Sequence, residues 1–368
     1  MKPYHETLVK TAIPADRFTK QAFKNVFCEG PPLCQKALLE SPTMIVSSHR
    51  SHMDYILLGV YCNRLGYRNL RFAAGDNLTA MPYVGKRITA LGAFPVYRDR
   101  ATSRKYIFEL CEEVVAMLDD GDNIIVFPEG GRSYGGAMME MKSGLIAANI
   151  IAHYRSPQNK HCYLPFTISY EILPEIRCFN WIEKGKQLRK ERDSLLQKIT
   201  GNLFYYGADL AAFAKFTLAR RFGIRYGNVY IDYAEPFEID TIIDIRKNYD
   251  SKAKNDFFAH KAAIKRVGEE IYRYLTRLYR ILPMHVIAYV LKNGSTRRND
   301  IIAKIPAVIS LLEKQNKNCK TLNTLSEKEL FEQGTDQLRH LNAIQMQNNS
   351  VRIRKNDIIN YYAQSVEQ

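Results

Sequence analysis

The feature that most constrains this chain is an alternation. Short apolar runs and amphipathic helical periods take turns from Thr43 to Ser169. Thr43–Ser47, Leu70–Ala74, Ala93–Tyr97, Asn123–Phe127 and Cys162–Ser169 read as strands, because each is a brief apolar run bounded by turn residues. Tyr55–Leu65 reads as a helix stopped by Gly66. Ser103–Leu118 reads as a helix with apolar residues at 106, 107, 110, 114, 115 and 118, stopped by Gly121, and Ser143–Ala152 as another. Asn228–Tyr233 reads as the last strand. Strands alternating with helices predict an α/β fold with a largely parallel central sheet flanked by helices. Before this block, Asp16 is expected to cap a helix over Arg17–Cys28 that ends at Gly30 and Pro31-Pro32. After it, long helical periods cover 256–281, 284–292, 300–316 and 326–340, and a short strand at 350–354 precedes a helix at 356–363. The expected organisation is a helical N-terminal segment (1–40), an α/β domain (41–239) and a helical C-terminal region (240–368).

Composition narrows the partners. Lys plus Arg is 53 and Asp plus Glu is 38, a formal charge of +15. Such an excess suits an anionic partner: nucleic acid, anionic lipid, a phosphorylated substrate or an acidic carrier protein. No nucleic-acid-binding motif with the required spacing accompanies the charge, so nucleic acid is not expected. Seven cysteines, an odd number with no C-x-x-C spacing, read as reduced thiols and not as a disulfide framework or a zinc site. Met1–Thr11 lacks the apolar core of a signal peptide. The most apolar long stretch, Leu203–Phe222, is interrupted by Asp209, Lys215, Arg220 and Arg221, which argues for a core or interfacial helix over a membrane span.

Three polar clusters sit where strands end. The first is Ser47-Ser48-His49-Arg50-Ser51-His52-Met53-Asp54-Tyr55, between a strand and a helix. Ligand and catalytic groups in α/β sheets gather at such strand ends. An imidazole held by a carboxylate five residues on is a general base: the carboxylate fixes the tautomer and stabilises the imidazolium. A metal site built from His49, His52 and Asp54 is the competing reading, but no second histidine cluster completes it, so no metal is expected. The second cluster is Leu91-Gly92-Ala93-Phe94-Pro95-Val96-Tyr97-Arg98, whose Arg98 can hold a phosphate with two parallel bonds. The third runs from the strand Ile125-Val126-Phe127 through Pro128-Glu129-Gly130-Gly131-Arg132-Ser133 to Gly136. Its glycines let backbone N–H groups approach an anion, and Arg132 adds charge. Lys142 then stands at the start of the next helix, where a cation and free N–H groups can face the same anion. A fourth segment, Tyr163-Leu164-Pro165-Phe166-Thr167-Ile168-Ser169-Tyr170-Glu171, reads by itself as a core strand.

In this order the four segments resemble the four blocks of the glycerolipid acyltransferase superfamily: His-x4-Asp, Gly-Ala-Phe-x-x-x-Arg, Phe-Pro-Glu-Gly-Gly-Arg-Ser and an apolar Pro strand. His49–Tyr55, Ala73-Ala74-Gly75-Asp76-Asn77-Leu78, Glu129–Ser133 and Ile168–Glu171 are similar to the branch containing bacterial glycerol-3-phosphate acyltransferase and dihydroxyacetone-phosphate acyltransferase. Further likeness lies in Val229-Tyr230-Ile231, Glu235-Pro236 and Asn360–Ser365, so it covers about residues 40 to 368. Three departures stand out. His49 comes early in this sequence, where the large bacterial enzyme has a long region before its His-x4-Asp. Tyr134-Gly135-Gly136 replaces a basic-Thr-Gly, and Met141-Lys142-Ser143-Gly144 replaces Pro-Lys-Thr-Gly.

The resemblance implies transfer of a fatty acyl group from acyl carrier protein or coenzyme A to the sn-1 hydroxyl of glycerol 3-phosphate. Dihydroxyacetone phosphate and lysophosphatidate are the alternative acceptors, and an inactive lipid-binding protein is the alternative class. His49 is expected to deprotonate the hydroxyl and Asp54 to orient His49, with no acyl-enzyme and no cofactor. Arg98, Arg132 and Lys142 are expected to hold the acceptor phosphate. By resemblance, Glu129 and Ser133 complete the acceptor site and the Pro165 strand supports it. The Gly130 and Gly131 amides are candidates for the oxyanion. A lipid product implies peripheral attachment to the cytoplasmic side of the cell membrane, an anionic surface, through Leu203–Phe222 or the run Tyr272–Arg280.

Overall fold

The computed structural model describes residues 2–32, 41–75, 84–97, 103–156, 159–190, 225–243 and 260–368, with single positions at 79, 100, 200, 207, 211, 218, 222 and 223. In chain order the elements begin α1 (Pro3–Ala22), β1 (Phe23–Glu29), β2 (Thr43–Ser47), α2 (Met53–Arg64), β3 (Leu70–Gly75), α3 (Val84–Ala90) and β4 (Ala93–Val96). There follow α4 (Arg104–Asp119), β5 (Asn123–Val126), α5 (Ser143–Arg155), β6 (Cys162–Tyr170), α6 (Phe179–Lys190), β7 (Tyr226–Tyr233) and β8 (Phe237–Glu238). The C-terminal part holds α7 (Lys261–Leu278), α8 (Pro283–Lys292), α9 (Arg298–Lys314), α10 (Glu327–His340), a hairpin of β9 (Ile344–Gln347) and β10 (Ser350–Ile353), and α11 (Asn356–Glu367).

The strands form one sheet in the order β1-β7-β6-β2-β5-β3-β4, with β8 beside β6. All pairings are parallel except β6 with β7 and with β8. β2 lies at the centre, and alternate residues of the central strands serve opposite layers. Met44, Val46, Ile124 and Val126 enter one core with α4, α5 and α7. Ile45, Ile125, Leu164 and Phe166 enter another with α2 and the C-terminal helices. Continuous apolar runs in β2, β5 and β6 are what a sheet covered on both faces requires. Local signals set the ends of these elements. Ser103 Oγ caps α4 by accepting the Tyr106 N–H, and Gly66 and Gly121 follow α2 and α4 with φ of 99° and 77°.

The N-terminus differs from the expected helix over Arg17–Cys28. The helix starts at Pro3, Asp16 lies inside it, and Phe23–Glu29 is a strand paired in parallel with β7. Asp16 instead bonds Lys20 at 3.0 Å and Arg64 at 2.6 Å. Phe23, Val26 and Phe27 fit a helical spacing as well as a strand, and the open edge of β7, distant in sequence, decides between them. The run Tyr272–Arg280 also differs from a membrane-contact segment. Leu275, Tyr279 and Arg280 are buried, and Tyr274 stacks on Phe237 at 5.0 Å. Leu203–Phe222 lies outside the described residues except at 207, 211, 218 and 222. Among the described residues, no helix is long and apolar enough to cross a membrane.

Candidate active site

β2 and β5 run in parallel side by side, so the segments after Ser47 and Val126 leave the same edge of the sheet together. That puts His49 and the Glu129–Ser133 loop in contact. The Glu129 carboxylate accepts the His49 N–H at 2.8 Å through one oxygen and the Met139 N–H at 2.9 Å through the other. The Ser133 N–H donates to the His49 carbonyl at 3.0 Å. His49 is thus held on both sides of its backbone by the glycine loop.

The imidazole Nδ1 lies 2.8 Å from Asp54 Oδ2, and both side chains are buried. The same oxygen accepts the N–H groups of Arg50 and Ser51 at 2.7 and 2.9 Å. A carboxylate in the first turn of α2 is where the helix dipole and unpaired amides favour negative charge. With Nδ1 taken by Asp54, Nε2 is the nitrogen that can receive a proton. The ring stacks on Phe127 at 4.2 Å and meets Tyr55 edge-on at 5.2 Å. Burial is the main cause that pushes the His49 pKa down to about 4; Asp54 pulls it back up, while Arg132 and His52 lower it further. At neutral pH the imidazole is therefore a neutral, ready acceptor.

Groups that sequence reasoning missed complete the turn. Tyr170, the last residue of β6, donates to Asp54 Oδ1 at 2.5 Å. Glu175 accepts the Ser51 hydroxyl and the His52 N–H, at 2.9 Å from each. Arg50 is 2% exposed; its guanidinium donates to the Gly136 carbonyl at 2.7 Å and lies over the Tyr279 ring at 5.0 Å. Gly136 has φ of 87°, and a Cβ there would come within 1.9 Å of the Tyr361 carbonyl oxygen. The C-terminal helix α11 thus abuts the glycine loop directly. In the sequence these residues look like ordinary core aromatics and helix-flanking charges. The available signals were the likenesses at His49–Tyr55, Ile168–Glu171 and Asn360–Ser365, which contain Arg50, Tyr170 and Tyr361 but assign them no role.

The expected phosphate ligands divide. Arg98 follows β4 but lies outside the described residues. Arg132 is buried, its guanidinium 5.2 Å from the Tyr134 ring, close enough to lower the His49 pKa. The Lys142 N–H donates to the Pro128 carbonyl at 2.8 Å, and its side chain lies over Gly130, where a Cβ would meet its Cδ at 2.6 Å and its Nζ at 2.9 Å. The Lys142 ammonium therefore sits at the glycine loop. The Glu129 carboxylate and the Ser133 hydroxyl, which donates to the Ala137 carbonyl, hold the loop's own backbone. One expectation is corrected. The Gly130 N–H donates to the Phe127 carbonyl at 2.9 Å, closing a turn, and is not a free donor for an oxyanion. Pro165 lies in the middle of β6 opposite Val46, and β6 is buried along its whole length. Among the described residues no group of three or more His, Cys, Asp or Glu is disposed to hold a metal ion.

A parallel sheet with a buried His-x4-Asp pair at its strand ends, clasped by a Glu-Gly-Gly-Arg-Ser loop, defines a class. Residues 25–168 match the family model described as Acyltransferase. The curated relatives lie in the bacterial glycerol-3-phosphate acyltransferase branch. The chain is 27% identical over 256 residues to the glycerol-3-phosphate acyltransferase of Pseudomonas putida strain GB-1, covering 68% of this chain and 28% of that protein. Against the glycerol-3-phosphate acyltransferase of Pseudomonas fluorescens strain SBW25 the identity is 26% over 267 residues, 70% of this chain and 29% of that protein. Against that of Xanthomonas axonopodis pv. citri it is 30% over 198 residues, 54% of this chain and 20% of that protein. The chain therefore spans less than a third of the length of these relatives.

Proposed function

We propose that the chain transfers a fatty acyl group from a thioester, acyl carrier protein or coenzyme A, to the sn-1 hydroxyl of glycerol 3-phosphate. The observation that carries this reading is the buried His49 Nδ1–Asp54 Oδ2 contact of 2.8 Å, fixed through Glu129 to the loop that brings Arg132 and Lys142. His49 Nε2 takes the proton of the acceptor hydroxyl as its oxygen attacks the thioester carbonyl. Asp54 stabilises the imidazolium. When the C–S bond breaks, the imidazolium returns the proton to the departing thiolate, so no acyl-enzyme forms. Arg132, Lys142 and Arg98 hold the acceptor phosphate, while Glu129 and Ser133 keep the loop in shape around it. The printed names of the relatives support glycerol 3-phosphate as acceptor. The charge of +15 supports an anionic carrier and an anionic membrane surface, and exposed Trp181 and Phe222 offer apolar contacts to such a surface.

A substrate panel tests this: acyl-coenzyme A and acyl carrier protein against glycerol 3-phosphate, dihydroxyacetone phosphate, lysophosphatidate and glycerol, with products resolved by mass. The expected product is 1-acyl-glycerol 3-phosphate. In the same assay Arg132→Ala should raise the acceptor KM about tenfold to a hundredfold, the value of one charge-assisted contact. A rise in the donor KM alone would assign Arg132 to the phosphates of coenzyme A.

A further inference from the structure

We propose that Tyr170 is a positioning residue for the His49–Asp54 pair, acting through the free oxygen of the carboxylate. This rests on the reading of His49 as the base. Asp54 is fully buried, and its two oxygens are used differently. Oδ2 takes His49 Nδ1 and the N–H groups of Arg50 and Ser51. Oδ1 takes the Tyr170 hydroxyl at 2.5 Å. Tyr170 sits at the end of β6, which pairs with β2 in register, so the sheet itself sets where the phenol stands. Its ring is 5.9 Å from that of Phe23 in the underlying core. A carboxylate pinned at both oxygens cannot rotate about its Cβ–Cγ bond, so Oδ2 stays in the plane of the imidazole N–H. The donated hydrogen bond also draws charge from the carboxylate, which weakens its pull on the imidazolium.

Burial, first, and then the charge of Asp54 push the Tyr170 pKa well above the ordinary phenol value, so the hydroxyl keeps its proton at neutral pH. The other charged or titratable groups around the pair are Arg50 and His52 from the β2–α2 turn, Glu129 and Arg132 from the glycine loop, and Glu175 after β6. Tyr279 after α7 and Tyr361 from α11 complete the set. All of these stay in place when only the Tyr170 oxygen is removed.

The test is Tyr170→Phe, read in two ways. In the free protein, 15N NMR of labelled imidazoles, with His49→Gln as the assignment control, gives the His49 titration. Losing the donor leaves more charge on Asp54, so the His49 pKa should rise by on the order of one pH unit. In turnover, kcat should fall roughly tenfold while both KM values stay within about twofold. A merely structural tyrosine would lower the folded fraction and leave the His49 titration of the folded molecules where it was. 3-Fluorotyrosine at position 170 keeps the shape and strengthens the donor, so it should move the His49 pKa the other way; this arm stands if Tyr170→Phe folds poorly. An unmoved His49 titration in a folded variant overturns the proposal. The titration needs no substrate, so a moved titration in a protein that transfers no acyl group would sink the function and leave the positioning role standing.

Discussion

At the scale of residues, the pair proposed to do the chemistry could be seen in the sequence because it is local. His49 and Asp54 are five positions apart across one strand-to-helix turn, and the structure joins them at 2.8 Å. What holds the pair was not visible, because Tyr170, Glu129 and Glu175 arrive from distant parts of the chain. Two predictions belong here. His49 has its pKa pushed down to about 4, chiefly by burial, and a base must be neutral to work. As pH falls from 7 through 6.5 the rate should therefore hold steady, and its acid limb should lie nearer pH 4; a limb centred at 6.5 would mean that His49 titrates as an ordinary exposed imidazole. Gly130→Ala should cost more rate than stability. At φ of 68° a side chain is strained, and its Cβ would push against the Lys142 side chain at 2.6 Å. The acceptor KM, measured beside the melting temperature, checks it.

At the scale of elements, the strands and helices around the site were legible wherever local signals agree. Thr43–Ser47 is strand as the sequence suggests, and α4 starts after Ser103. β1 was misread because its apolar spacing also fits a helix, and only the edge of β7 settles it. The same edge holds an ion cluster. Arg280, between α7 and α8, bonds Asp232 of β7 through Nε at 2.9 Å and through Nη2 at 2.5 Å, and Glu29 of β1 at 2.8 Å. Asp232 is buried, and stripping its guanidinium leaves a carboxylate in a dry place. Arg280→Met should then lower stability by about 3 kcal/mol in urea unfolding. Restoring stability with Asp232→Asn on top would confirm that the stranded charge is the cause, and a loss under about 1 kcal/mol in the single variant would refute it.

At the scale of the whole molecule, charge and buried histidines set the response to conditions. His49 and His161 have pKa values pushed down to about 4 and His285 to about 3, each chiefly by burial. In the unfolded chain these groups bind protons near pH 6.5, and in the folded chain they do not. Between those limits the unfolded state carries more protons, so stability falls as pH drops below 6.5. The slope is roughly 1.4 kcal/mol per pH unit for each histidine. Urea midpoints from pH 7 to pH 4.5 should trace that loss, and replacing His161 by Leu should flatten it; a flat wild-type curve would contradict the burial argument. The formal charge of +15 predicts pelleting with anionic vesicles at low salt and release at high salt without detergent.

The central claim is that His49 is the base for acyl transfer to glycerol 3-phosphate. The most direct test is the rate of 1-acyl-glycerol 3-phosphate formation by purified wild-type protein and by His49→Ala with an unchanged circular-dichroism spectrum. The account predicts that wild type forms this product and that the variant is slower by a factor on the order of 10²–10⁴. A variant that keeps a tenth or more of wild-type turnover would contradict it.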